Sequence, residues 1–157
     1  MNPADLRELL ERVREGDLTT DAAMAALKDL PFRSLGFANV DTHRALRTGF
    51  AEVVYGPGKT PEQIASILGE LGRAGGVVMA TRVVAEATAA VQRILPGVRY
   101  HADARILAFG PSPGPVRGRG TIAVLTAGTS DIPVAEEAAL TAELDGNRVE
   151  RIYDVGV

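Results

Sequence analysis

Residues 110 to 120 read GPSPGPVRGRG, with four glycines and three prolines in eleven positions. Such a run can continue neither a helix nor a central strand. It predicts a Gly/Pro linker over 111–119, and it divides the chain more sharply than anything else in the sequence. The N-terminal side then separates into a helical hairpin over 1–31 and a small α/β domain over 32–110. The C-terminal side, 120–157, begins a second α/β unit.

The helices follow from spacing. Asn2 is placed to cap the first, with Pro3 at its first position. Leu6, Leu9, Leu10 and Val13 then form one apolar stripe. Thr19 or Thr20 caps a second helix through Leu27, stopped at Pro31. Phe32 to Thr48 is polar and mixed, and is expected to be irregular with at most a short strand or helical turn. Beyond it the pattern alternates. Ala51–Tyr55 reads as a strand broken by Gly56-Pro57-Gly58. Thr60, Pro61 and Gln63 make a capping box for a helix with Ile64, Ile67, Leu68 and Leu71 on one face. Val77–Ala80 reads as a buried strand, Thr81 as the cap of a helix to Leu95, and Arg105–Phe109 as a further strand.

After the linker, Thr121–Leu125 is an apolar strand. A helix starting near Pro133 and a strand over Val149–Val157 follow. This is β-α-β, so the two strands should be parallel. Two such strands and one helix cannot cover both faces of a sheet. The expectation is therefore a longer natural protein, or a partner chain that completes the sheet.

Composition narrows the function. The hydrophobic fraction is 46% with no tryptophan, so aliphatic residues must build the core. The net charge of −3 argues against wholesale electrostatic binding of nucleic acid. There is no cysteine, hence neither a disulfide framework nor a thiol nucleophile in these residues. No signal peptide opens the sequence, and no apolar run approaches the roughly 18–20 residues of a membrane span. A cytoplasmic, soluble protein without membrane or nucleic-acid partners is expected. No HExxH and no Cys/His cluster occurs, which argues against a protein-bound catalytic zinc.

The strongest chemical signal is Thr126-Ala127-Gly128-Thr129-Ser130-Asp131, between a strand and a helix. Open α/β sheets bind ligands at the carboxyl ends of their strands. Gly128 permits close approach of the backbone, and the first helix amides favour an anion. Thr129 and Ser130 add hydroxyl donors. Asp131 can accept from ribose hydroxyls or act as a base. The plain structural alternative is an ordinary N-cap turn. Five further residues are candidate anion contacts: Lys59 before a helix start, Arg47 with Arg44 one helical turn apart, and Thr81-Arg82 at a strand end. Each has an equally simple reading as a loop, salt-bridge or capping residue. Glu52 is a candidate acid-base group. His43 and His101 are far apart and read as surface or hydrogen-bonded residues. Glu136 and Glu137 read as a solvated helix face, with Glu136 able to reach toward the turn.

The run GTSDIPVAEEA resembles the start of the PurE-like domain in the LarB family. RALRTGFAEVVYGPGKTPEQI, VVMATRV and the closing YDVGV are similar to LarB segments too. The resemblance runs from about residue 32 onward. It implies a PurE-like, flavodoxin-like three-layer parallel sheet after the linker. It also implies a carboxylase and hydrolase of nicotinic acid adenine dinucleotide. That enzyme adds carbon dioxide to the pyridinium ring and releases AMP, early in nickel-pincer nucleotide cofactor biosynthesis. Gly128, Thr129, Ser130 and Asp131 would then line the site. Carbon dioxide or bicarbonate would be the co-substrate, no covalent cofactor is implied, and magnesium assistance is left open. A homo-oligomer is expected. The family's cysteine nucleophile is not among these residues, so the chain alone is expected to be inactive. The alternatives are a PurE-type carboxylate mutase and a non-catalytic nucleotide-binding module.

Overall fold

The computed structural model describes residues 3–27 and 32–156. The fold is mixed α/β. Asn2 and Pro31, expected at helix ends, lie outside the described residues.

Two helices come first, α1 (Pro3–Glu15) and α2 (Thr20–Leu27). The Thr19 hydroxyl accepts the Ala22 amide at 3.2 Å and so caps α2. The stretch expected to be irregular carries more structure than its composition suggested. Strands β1 (Phe32–Ser34) and β2 (Asn39–Asp41) form an antiparallel hairpin, followed by the five-residue helix α3 (Arg44–Thr48). The hairpin sends Val40 into the core.

The central sheet contains β3 (Val53–Tyr55), β4 (Val78–Thr81), β5 (Arg99–His101) and β6 (Ile106–Phe109), in the order β3-β4-β6-β5. β3 and β4 are parallel, and β6 is antiparallel to both its neighbours. Alternation along the strands decides what each face meets. Val78, Ala80 and Leu107 point to one side. There they pack with Ile64, Leu68 and Leu71 of α4 (Pro61–Gly72) and Val91 of α5 (Ala85–Ile94). Met79 and Ile106 point to the other side and meet Leu140 and Leu144 of α6 (Ile132–Leu144). The sheet is thus held between helices from both sides of the Gly/Pro run.

That run has no helix or strand, yet both its ends are fixed. Arg99 Nη1 donates to the Gly110 carbonyl at 3.0 Å. The Arg117 amide donates to Gly146 O at 2.8 Å, and its guanidinium to Asp145 O at 3.2 Å. The second unit is the parallel pair β7 (Thr121–Leu125) and β8 (Arg148–Ile152), with α6 between them in sequence. The expected β-α-β is present. Its strand β7 is mostly exposed: Leu125 is 59% and Ile122 42% accessible. This agrees with the expectation that two strands and one helix leave part of the sheet uncovered. Among the described residues α6 and β8 are its main neighbours.

Three boundaries differ from expectation for identifiable reasons. Thr81 does not cap a helix. It is the last residue of β4, paired with Tyr55, and its carbonyl accepts the Gly56 amide at 2.9 Å. Val83 is buried, and α5 starts at Ala85. The last strand stops at Ile152, not Val157. Asp154 takes a left-handed φ of 56°, which extended pairing does not allow. The strand expected over Ala51–Tyr55 begins at Val53. Before it, the Glu52 carboxylate accepts the Asp41 amide at 2.6 Å.

Candidate functional site

The turn after β7 is built by Thr126, which is buried. Its amide donates to Ile152 O at 3.1 Å, and its hydroxyl accepts the Asp154 amide at 3.2 Å. The carboxyl ends of β7 and β8 are therefore joined, and residues 127–131 project beyond them. Thr129–Asp131 is a single 3-10 turn leading into α6. Two expectations change here. Gly128 is extended, with φ −131°, so no glycine-specific conformation is involved; the space beside its α-carbon is open. Neither Ser130 nor Asp131 caps the helix through its side chain. The Asp131 and Ile132 amides bond back to Gly128 O and Thr129 O, and Pro133 has none. Most of the amides expected to face an anion are thus already paired or missing. What remains are side chains. Thr129, Ser130 and Asp131 are exposed, and their side chains accept or donate no hydrogen bond within the described residues. Two hydroxyls and a carboxylate stand free on one turn, where a sugar-phosphate could use all three.

A second set of groups gathers at the carboxyl ends of β3 and β4. Gly56 presses against β4 so closely that a Cβ would lie 2.7 Å from the Thr81 carbonyl oxygen. Lys59 turns back on the same loop, its Nζ donating to Tyr55 O at 2.8 Å. The start of α4 carries the expected box. Thr60 Oγ accepts the Gln63 amide, and the Gln63 side chain accepts the Thr60 amide. The Glu62 carboxyl is held below its usual range by its own amide and by Thr60. This helix start already has an anion of its own. Arg82 follows the buried Thr81 in a left-handed conformation, φ 55°, that costs a non-glycine residue roughly 1–2 kcal/mol. Its Nε donates to both Glu137 oxygens at 3.3 Å, and its guanidinium lies 5.7 Å from the Tyr55 ring centre.

The third group stands apart. Arg47 bonds both oxygens of Asp41 and lies 3.3 Å from His43 Nδ1. Burial acts to raise the Asp41 carboxyl, but Arg47 and the amides of His43 and Arg44 together bring it below its usual range. Arg47 thus has its carboxylate inside the chain. Glu52 supports the same corner through the Asp41 amide.

The first two sets lie at one end of the molecule. Val77 and Leu144 line one cleft, Met79 packs with Leu140, and Arg82 bonds Glu137. Along β4 the numbers rise while along α6 they fall, so β4 and α6 run in opposite directions. The carboxyl end of β4 therefore meets the amino half of α6, which begins at the 129–131 turn. Nothing in the local sequence links residue 82 to residue 137. Glu137 reads as a solvated helix residue, and only the packing of α6 on the sheet reveals its role. Glu136, on the neighbouring flank, accepts from Arg151 Nε at 3.1 Å and from the Tyr153 hydroxyl at 3.0 Å. Arg151 also grips both oxygens of Glu143. That bond is the main reason the Glu143 carboxyl is held low, and with Glu136 it raises the Arg151 guanidinium further.

No helix among the described residues is long and apolar enough to cross a membrane. An uncharacterized protein of Methanocaldococcus jannaschii is 31% identical over 164 residues, a match covering 98% of this chain and 62% of that protein. The chain thus spans less than two thirds of the length of the relative it matches. The family description LarB/PurE-like N-terminal domain fits residues 32–111, from the β1–β2 hairpin through the central sheet into the Gly/Pro run. On that match, over half of the chain, this protein belongs to the LarB family.

Proposed function

We propose that the chain is the nucleotide-binding part of a LarB-type carboxylase and hydrolase acting on nicotinic acid adenine dinucleotide. The observation that carries this reading is the 129–131 turn. Two hydroxyls and one carboxylate stand there without partners among the described residues, at the joined carboxyl ends of two parallel strands. Thr129 and Ser130 would hold the ribose phosphate beside the pyridinium ring, with Gly128 giving room at the backbone. Asp131 would orient the sugar or take the ring proton. In the overall reaction carbon dioxide, taken up directly or formed from bicarbonate by loss of hydroxide, makes a carbon–carbon bond to the ring as one ring proton leaves. Water then splits the phosphoanhydride into AMP and the biscarboxylated mononucleotide. The family's thiol nucleophile would come from outside these cysteine-free residues, and the complete enzyme would be a cytoplasmic homo-oligomer.

The test is incubation of the full-length protein with nicotinic acid adenine dinucleotide and labelled bicarbonate. Label in a mononucleotide, with AMP released, supports the proposal. Label taken up by aminoimidazole ribonucleotide, offered in a parallel incubation, would move the reading to a PurE-type carboxylase. Nucleotide binding without product from either would leave a binding module.

A further inference from the structure

Tyr55, Arg82 and Glu137 form a constellation that the 129–131 turn does not explain. Tyr55 is 53% exposed at the end of β3 and so presents a ring to solvent beside the strand ends. Arg82 holds its guanidinium over that ring while its own side chain is half exposed. It does so from a left-handed backbone, a strained conformation of the kind that gathers at ligand sites. Glu137 meets the Nε side of the fork in two long bonds of 3.3 Å that share one hydrogen. The loop beside them offers no competing cation or helix end, because Lys59 is bound to Tyr55 O and Glu62 occupies the start of α4.

The spacing to the turn is set by α6. Glu137 is six residues beyond Asp131, about 9 Å along the helix axis. A dinucleotide is long enough to reach from the turn past Glu137, the residue that Arg82 bonds.

We propose that Tyr55 and Arg82 form the seat for the purine-nucleotide half of the dinucleotide, an inference that rests on the reading of the turn given above. The Tyr55 ring supplies a flat apolar surface on which a purine stacks, and an arginine plane stacks bases as well. The outer amino groups of Arg82 face the phosphate of the same nucleotide. Glu137 is a positioning residue, fixing Arg82 from α6. The central sheet and the second unit would then hold opposite ends of one substrate.

The experiment is calorimetric titration of the full-length protein with AMP and, separately, with nicotinic acid mononucleotide. Tyr55→Leu and Arg82→Gly are the variants, since Tyr55 is exposed and glycine adopts the backbone of residue 82 freely. Both should weaken AMP binding at least tenfold and leave the nicotinate mononucleotide within twofold. A wild-type protein that does not bind AMP, or variants that bind it normally, overturns the seat. So does an equal loss for both ligands. If wild-type protein binds AMP through these residues but ignores nicotinate nucleotides, the seat stands while the proposed substrate falls. If it binds and turns over the dinucleotide with AMP affinity untouched by either variant, the reverse holds.

Discussion

The α-carbon of Gly110 lies against the carbonyl oxygen of Gly76, so closely that an added methyl would sit 2.4 Å from it. Gly110 also has φ 105°, where side-chain-bearing residues rarely go. Gly110→Ala must move one backbone against the other at the point where β6 hands the chain to the Gly/Pro run. We predict destabilisation by about 2 kcal/mol, read as a lower urea midpoint with unchanged slope. A midpoint equal to wild type would show that the two glycines separate without cost.

Leu140 joins α6 to the sheet through Met79 and Ile106. Leu140→Ala should cost about 2–3 kcal/mol. The added amide exchange should appear in α6 and β6 before it appears in α4. Uniform exchange across all three would mean that both faces of the sheet open together.

The pH dependence of stability has a definite sign at Glu143. Its folded carboxyl is held below the usual value, mainly by the Arg151 bond. The stability it contributes is fully present above the unfolded value and is lost as pH falls through the lower folded one. Asp145 runs the other way. Burial raises its carboxyl, so its contribution improves on acidification, partly offsetting Glu143. Glu143→Gln should therefore flatten the fall in urea midpoint below about pH 4.5 without abolishing it, since Asp41 and Glu62 are also held low. An unaltered profile would remove Glu143 as a source of the acid sensitivity.

On the proposed reaction, Asp131→Asn in the complete protein should lower turnover at least tenfold, about 1.4 kcal/mol of barrier. Asp131 makes no side-chain cap, so the melting temperature should hardly move. A stable variant with normal turnover would take Asp131 out of the chemistry.

β7 gives a prediction about behaviour in solution. Ile122 and Leu125 are exposed apolar residues on a strand whose described ladder is with β8 alone. Such an edge invites pairing with another chain. The 157-residue chain should self-associate in light scattering, and Leu125→Lys should reduce this while keeping the unfolding transition. A wild-type chain that stays monomeric at high concentration would refute it.

Legibility in the sequence followed the strength of local signals. The box at Thr60 and Gln63, the α4 stripe and the β7-α6-β8 order each have a short-range physical cause, and each is visible residue by residue. The β1–β2 hairpin was not, because its strands are three residues long and Phe32 is exposed. β5 was missed as well. Arg99-Tyr100-His101 is polar at both ends and becomes a strand only by pairing with β6. Around the candidate site, the turn at 126–131 stood out from its place between strand and helix. Which of its groups are free depended on 3-10 geometry that consumes amides. The Arg82–Glu137 bond spans fifty-five positions and arises only when α6 lies on the sheet.

Because the chain has three tyrosines and no tryptophan, its near-ultraviolet emission comes from three separate places. Tyr100 donates to Val83 O inside the central unit, Tyr153 is tied to Glu136 in the second, and Tyr55 lies beneath Arg82 between them. Single Tyr→Phe replacements would therefore turn the protein into its own set of optical probes, one for each unit and one for the junction.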